Sequence, residues 1–562
     1  MTIERPVLIL GAGINGAALA RELVLNRVPV TIVDTGDIAG GTSAYSSRLI
    51  HGGLRYLENG EFDLVRESLR ERDALLRNAP HLVRPLPTTI PLTSVFSGLM
   101  NGVANFLGRS AVPANRGAVP VKIGLSVYDW VSRKRRVLPR HRFLNSRETF
   151  RRWPKLSPKV RFSAVYYDAW ISHPERLGIE LLLDTRRLAG RTVALNHVEI
   201  ASHRSGFLVT DRETGERYPV TARVLVNATG AWLDDSLAEL VNPADAPQRL
   251  ITGTKGSHLV LDNRELYEAL NGHMVYFGNS DGRVCIVFAY LGKVLAGSTD
   301  IKVESTERVR CEDDERDYIL GSLRLVFPTI DVSVDQVVYS FSGIRPLARS
   351  DHDITGRMSR GHFLQRIDAT VPHFCMIGGK WTTFRAFAEH TTDAVLVELG
   401  RQRTTGTFDL AIGGGQGYSD GSAIETELVR TFGVTAARAA HLADTYGTRA
   451  TEVMAFCAQR PDDRPLGVGT ELTVAEIAFL TQQEYAVRLG DLILRRTTLA
   501  ITGTIDTGLT EAIASVAGRE LGWDEARRRA EIEELIVDLE NYHGVDRGTL
   551  DQRTKERTAP CL

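Results

Sequence analysis

Cysteine is scarce in this chain, and so is any imbalance of charge. Five cysteines (Cys285, Cys311, Cys375, Cys457, Cys561) are scattered through 562 residues. They form no C-x-x-C pair and no His/Cys cluster at ligand spacing. That excludes a disulfide framework and a structural zinc, and it fits a reducing compartment with no metal expected. The formal net charge is −1, so no global field recruits nucleic acid, and an anionic partner must be met by a local patch. Long apolar runs are missing too: no window approaches the roughly 18 uninterrupted apolar residues that span a bilayer, which leaves only a peripheral membrane role. The apolar stretch after Arg5 has the look of an export leader, but Asn15 and three glycines interrupt it and it reads as fold.

What is present is an ordinary globular composition, 43% apolar and 24% charged, in a chain long enough for two or three domains. "PVLIL" (6–10) is a short apolar run of the kind buried on both faces of a sheet. It enters "GAGING", with glycines at 11, 13 and 16, then a helix predicted over 17–27 and a second strand, "VPVTIVD", ending at Asp34. Strand, tight turn, helix, strand and acid in that register predict a dinucleotide site. Gly11 makes the turn, Gly13 admits a pyrophosphate to the backbone, and Gly16 lets helix and strand close. Asp34 is placed for the adenosine ribose hydroxyls. This unit alone does not distinguish NAD from FAD.

The run "SSRLIHGGLRYL" (46–57) carries too much polar chemistry for a core and is expected to be a surface loop. Together with "GAGINGAALARE", "LVNATGAW", "KGSHLV", "YSFSGIRPL" and "GGKWTTFR", occurring in that order, it resembles the FAD-dependent glycerol-3-phosphate dehydrogenases of the quinone-linked, aerobic type. The resemblance spans about residues 6–400, and the helical remainder fits more loosely. It implies an α/β fold: an FAD-binding Rossmann-like domain with an inserted α+β substrate domain and a C-terminal helical domain. The expected FAD domain is discontinuous (1–90, 160–235, 335–400). The substrate domain takes 91–159 and 236–334, the glycine-rich stretch 410–423 is a linker, and 424–562 form a separate helical domain.

By that resemblance FAD is held by Gly11, Gly13, Asn15, Gly16, Asp34, Thr42, Ser43, Ser46, Ser47, Gly230, Gly379, Lys380, Thr382 and Thr383. His51, Arg55 and Tyr56 face the substrate, with Arg345, Lys380 and Arg360 converging on it from distant parts of the chain. The residue types suit such work. Gly52 and Gly53 allow backbone close to a planar ring, and arginine offers a planar fork of donors matched to phosphate. The implied reaction oxidises sn-glycerol 3-phosphate to dihydroxyacetone phosphate, with hydride passing to flavin N5 and electrons to a membrane quinone. His51 and His258 are the candidate bases, and Arg345 is placed to stabilise the developing oxygen charge.

Residues 93–142 pair an apolar helical stripe (Val95, Phe96, Leu99, Met100, Val103, Phe106, Leu107) with a basic run (Arg133, Lys134, Arg135, Arg136, Arg140, Arg142). This is the pattern of an interfacial segment and implies a cytoplasmic protein at the inner face of the cytoplasmic membrane. A solvated basic loop beside a packed helix is the alternative. Oligomeric state stays open, a homodimer included. Several positions depart from the family pattern: Asp34 stands where Glu is usual, Ser172, His173 and Pro174 where aspartates are common, and Gly361 where an acid is usual. These departures keep two alternatives open, a dehydrogenase of a longer polyol phosphate such as an erythritol phosphate and an oxygen-using oxidase.

Overall fold

The apolar run after Pro6 is the centre of a parallel sheet. In the computed structural model of the chain, the described residues are 3–54, 56, 61–94, 118–132, 137–188, 193–204, 206–241, 248–279, 281, 283–349 and 360–558. Strand β1 (Ile3–Leu10) pairs in parallel with Val30–Val33 on one side and Arg217–Asn227 on the other. Val7, Leu8 and Ile9 are fully buried, as a strand covered on both faces must be. The sheet runs His362–Ile367, His373–Gly378, Arg217–Asn227, β1, Val30–Val33, Val193–Leu195, and a hairpin of Val198–His203 and Gly206–Asp211 branches from it. Helix α1 (Ile14–Leu25) crosses from β1 to Val30–Val33 and packs against Pro174–Leu188 and Phe384–Glu398.

Among the described residues a second, largely antiparallel sheet has ten strands. Its longest pairing joins Ile251–Leu261 to Val337–Ala348, in a register that sets His258 opposite Phe341 and Thr254 opposite Arg345. On its other side His258 faces Gly297, at the end of the strand pair Val284–Tyr290 and Lys293–Gly297. Strands Val83–Leu92 and Phe162–Ile171 complete the sheet, with Leu49–Ile50 added at its edge.

Three expectations are corrected here. The 46–57 run is no surface loop, because Leu49 and Ile50 pair with Trp170 and Ala169 and Arg48, Ile50, Gly52, Gly53 and Tyr56 are buried. Polar composition misled because its polar groups find partners inside the protein rather than water. The 410–423 stretch is a free linker only in part: residues 416, 417, 419, 420, 422 and 423 are exposed, but Gly413, Gly414 and Gly415 are buried, and the carbonyls of Tyr446 and Asn78 occupy the space a Cβ would need on Gly414 and Gly415. The C-terminal helices form as expected and pack on the second sheet through one apolar core, where Phe288, Tyr290, Tyr339 and Phe341 meet Tyr446, Phe479, Leu492 and Leu535. Sheet membership also differs from the expected division, since Val83–Leu92, Phe162–Ile171 and Val337–Ala348 all belong to the second sheet.

The apolar stripe at 95–107, Arg55 and the basic residues 133–136 lie outside the described residues. The described part of the 93–142 segment includes the helix Ala118–Ser132, which buries Leu125 and Tyr128 and exposes Ile123 and Trp130. Among the described residues no helix is long and apolar enough to cross a membrane.

Candidate active site

The glycine turn is held from behind. Gly11 has φ +92°, and an added Cβ on Gly16 would run into the Gly11 carbonyl. Gly13 caps α1 in an extended conformation with no side-chain cap. Ser43 Oγ accepts from the Ile14 N–H at 3.0 Å. The Asp34 carboxylate accepts from the N–H groups of Ala12 (2.6 Å) and Gly36 (2.9 Å). Burial nevertheless raises Asp34 to about 6, because those two bonds offset only part of the desolvation. The acid after the second strand therefore braces the turn itself, in addition to its expected role toward the ribose.

The polar run and the Gly378–Gly379 turn are hydrogen-bonded to each other. Thr382 Oγ1 accepts from the His51 N–H at 3.2 Å and donates to the His51 carbonyl at 3.3 Å, while Trp381 Nε1 donates to the Ser43 carbonyl at 3.1 Å. Thr42 Oγ1 donates to the Ile344 carbonyl at 2.7 Å. Ser46 Oγ accepts from the Arg48 N–H at 3.3 Å. Ser47 Oγ pairs with His258 Nε2 at 2.8 Å. Gly53 takes φ +76°, and the Tyr56 ring fills the space beside it where a Cβ would be. Gly230, after its strand, has φ +64°.

Five cation and histidine positions expected from distant motifs face one another across this surface. Arg345 reaches Asp300 Oδ1 at 3.3 Å and Ser298 Oγ at 3.3 Å, and Arg360 reaches the other oxygen of Asp300 at 3.4 Å. Lys380 donates to Ser68 Oγ at 2.6 Å and sits 4.5 Å from the centre of the Tyr56 ring. Burial lowers Lys380 to about 7, against the pull of Glu67 and Glu61. Arg345 is lowered to about 10 by burial and then by Arg360. The same causes act on the histidines: burial, then Lys380, Arg360 and Arg72, bring His51 down to about 3. Burial, Arg345 and Arg48 hold His258 well below its usual value. Both imidazoles are thus neutral near pH 7 and able to accept a proton. His258 stacks on Phe341 at 4.9 Å and 10°, and its Nδ1 is buried with no partner among the described residues.

Three supports were not anticipated from the sequence. Asp300 joins the two arginines. A buried cluster of Asp168, Tyr128 and Arg72 holds the polar run, with the Gly52 N–H 3.1 Å from both Asp168 Oδ1 and Tyr128 Oη. Arg72 reaches Asp168 at 3.1 Å and Tyr128 at 3.2 Å. Lys255, beside His258 in the sequence, is taken up by Glu315 at 2.5 Å, an acid that also accepts from Ser257 and Thr299.

The family described as FAD dependent oxidoreductase matches residues 6–394, and the C-terminal domain of alpha-glycerophosphate oxidase matches 405–528. A glycerol-3-phosphate dehydrogenase from Synechocystis is 32% identical, covering 96% of this chain and 95% of its own. The chain belongs to the FAD-dependent glycerol-3-phosphate dehydrogenase family. Another relative, the mitochondrial glycerol-3-phosphate dehydrogenase of Mus musculus, is 29% identical over 95% of this chain and 72% of its own. The glycerol-3-phosphate dehydrogenase from Bacillus halodurans complexed with FAD superposes with a TM-score of 0.74 over 96% of this chain and 95% of that one. At 23% identity that likeness concerns the fold.

As a member of this family the protein is an FAD-dependent oxidoreductase, and its own residues fit that cofactor. Asn15 Oδ1, at the start of α1, and Thr383 Oγ1, after the Gly379 turn, are buried polar atoms with no partner among the described residues, and such atoms ordinarily mark an absent polar ligand. They belong to one surface, since Asn15 Nδ2 approaches the Gly378 carbonyl at 3.5 Å. Gly13 and Gly379 leave uncovered backbone there, where an added Cβ would lie 3.2 Å from Ser43 Oγ and 3.3 Å from Asn15 Nδ2.

Proposed function

We propose that the protein oxidises sn-glycerol 3-phosphate to dihydroxyacetone phosphate and passes the electrons to a membrane quinone. The observation that carries this reading is the grouping of Arg345, Arg360 and Lys380 around two neutral histidines. Asp300 compensates the two arginines only in part, so the site retains positive charge for a phosphate dianion. FAD, when bound, supplies the two-electron acceptor for the carbinol hydride. The chain's residues do the rest. Lys380 and Arg360 bind the phosphate, with Tyr56 beside Lys380 and Arg55 a further phosphate ligand by the family resemblance, and Arg345 stabilises charge on the reacting oxygen. His258 takes the hydroxyl proton on its unpartnered Nδ1, while Ser47 fixes the ring through Nε2. His51 is the second candidate base. Gly11, Gly13, Asn15, Gly16, Asp34, Thr42, Ser43, Ser46, Gly230, Gly379, Thr382 and Thr383 hold the cofactor.

Support for a membrane surface comes from the basic residues of 133–142 and from Ile123 and Trp130, which are 58% and 64% exposed on one helix. The mitochondrial relatives are consistent with a respiratory acceptor. The test is flavin absorbance under anaerobic conditions before and after adding glycerol 3-phosphate. Rapid bleaching is expected, and a flavin that stays oxidised overturns the substrate assignment. The match of 405–528 to a glycerophosphate oxidase domain favours one second reading, an oxygen-using enzyme. Stoichiometric peroxide on aerobic turnover would select it.

A further inference from the structure

Outside the residues of the proposed substrate site, Asp37, His197 and Asp491 bring one imidazole and two carboxylates within 4.8 Å of one another, all buried. The spacing suits a cation, but the carboxylates are already matched by arginine. Arg496 holds Asp37 through two bonds, Nη1 to Oδ2 at 2.7 Å and Nη2 to Oδ1 at 2.8 Å. Arg495 reaches the same carboxylate through Nε and Asp491 through Nη2 at 2.9 Å. Two guanidinium groups against two carboxylates leave no net charge to attract a metal, so the cluster is an ion-pair lock.

Its position gives it a purpose. Asp37 lies three residues after Asp34, on the stretch leading from the second parallel strand to Thr42 and Ser43. That stretch is fastened to the glycine turn twice: Ala39 N–H donates to the Ala12 carbonyl at 3.0 Å, and Asp34 accepts from Ala12 N–H. Its other side is fastened to the His197 turn, where the N–H of His197 donates to the Gly36 carbonyl at 3.0 Å and that of Val198 to the Asp34 carbonyl at 3.0 Å. His197 in turn lies 3.1 Å from both oxygens of Asp491. The arginines sit on Leu492–Arg496, a π-helical turn. Such a turn is wider than an α-helical one and recurs at functional positions; here it lets two successive side chains reach one carboxylate. Arg496 is itself fixed, donating through Nε to the Glu484 carbonyl at 2.9 Å.

We propose that the C-terminal helical region is a cofactor-retaining element, in which Arg495 and Arg496 grip Asp37 and so hold the 34–43 stretch in the shape that binds FAD. These are positioning residues, acting through the loop they hold. The proposal rests on FAD being the cofactor and is independent of which substrate is oxidised.

The experiment measures FAD affinity of the full-length protein by flavin fluorescence with no substrate present, for Asp37→Asn, Arg496→Lys and, as a control, Arg488→Met. Arg488 pairs with Glu213 and Glu534 at the same junction but does not touch the 34–43 stretch. Asp37→Asn is expected to raise the FAD dissociation constant at least tenfold. Arg496→Lys, which keeps the charge and loses the fork, should raise it several-fold, and Arg488→Met should leave it unchanged. If Asp37→Asn does not yield soluble protein, Arg496→Lys reads the same quantity. An affinity within twofold of the parent in the variants, or an equal loss in Arg488→Met, overturns the proposal.

Discussion

Replacing Gly256 by alanine should disable the proposed reaction while leaving the fold intact. Gly256 lies in the strand Ile251–Leu261, opposite Gly343, with a backbone conformation open to any residue. The three atoms nearest to a Cβ there all belong to the Arg345 guanidinium, with Nη2 overlapped and Nη1 within 2.6 Å. Carbon and nitrogen rest at about 3.5 Å, so the guanidinium must retreat by about 1 Å or more. Arg345 is the far end of a flexible side chain and can do so, at the cost of its contacts to Asp300 and Ser298, both 3.3 Å long. Misplacing a group that touches the reacting oxygen by about 1 Å costs on the order of 100-fold in rate, or about 2.7 kcal/mol of transition-state stabilisation. Stability should change by less than about 1 kcal/mol, since a strand glycine is being replaced without a backbone clash. Stopped-flow reduction of the flavin by glycerol 3-phosphate, with thermal unfolding and flavin content measured alongside, tests the whole chain of reasoning. Parent-like reduction in a correctly folded Gly256→Ala protein would refute the placement of Arg345 at the reacting centre.

Three other outcomes are expected. With Lys380 lowered to about 7, the free enzyme loses this cation as pH rises through 7, so kcat/KM for glycerol 3-phosphate should decline above that pH. Lys380→Arg should remove the decline, and a profile already flat in the parent counts against a phosphate role for Lys380. Tyr128→Phe deletes a buried hydroxyl that serves Asp168 and the Gly52 N–H and should cost about 1–2 kcal/mol in denaturant unfolding. Ser47→Ala frees His258 Nε2 and should lower the rate of flavin reduction about tenfold or more with little change in melting temperature, consistent with loss of ring orientation rather than of packing.

Local patterns were legible in the sequence because their physical cause is local. The glycines at 11, 13 and 16 and the flanking apolar strands are dictated by one turn and one helix. The C-terminal helices likewise follow from periodicity, as in Glu525–His543, capped by the Asp524 side chain and ended by Gly544 at φ +68°. His258, Arg345 and Lys380 became candidates only through their motifs, since no spacing rule connects residues in three separate segments. The supports stayed hidden for the same reason. Asp168, Tyr128 and Arg72 are buried polar residues whose bonds to one another and to Gly52 span 40 to 116 positions, and an isolated Asp or Tyr carries no mark of being buried. The 410–423 glycines looked like a linker because glycine serves chain freedom and close packing alike. The sheet that claims a strand such as Val337–Ala348 is set by pairing across long sequence separations, which an apolar run does not encode.

The chemistry of the site depends on this hidden layer as much as on the motifs. Three cations gathered without compensation would repel one another and resist burial. The carboxylate of Asp300 allows Arg345 and Arg360 to share a small volume, and desolvation lets Lys380 give up its proton at modest cost when no anion is present. On the proposed function, a phosphate dianion beside Lys380 would restore the lysine charge. Burial, with Arg345 and Arg48, keeps His258 neutral, and burial with Lys380, Arg360 and Arg72 keeps His51 neutral, so of the two candidate bases only His51 feels the groups that would bind the phosphate. A substrate lacking the phosphate would therefore lose more than binding energy, because Lys380 would then stay largely neutral above pH 7. The separation of kcat from KM for glycerol against glycerol 3-phosphate should expose that coupling: a loss confined to KM would mean that the cations bind and do nothing more.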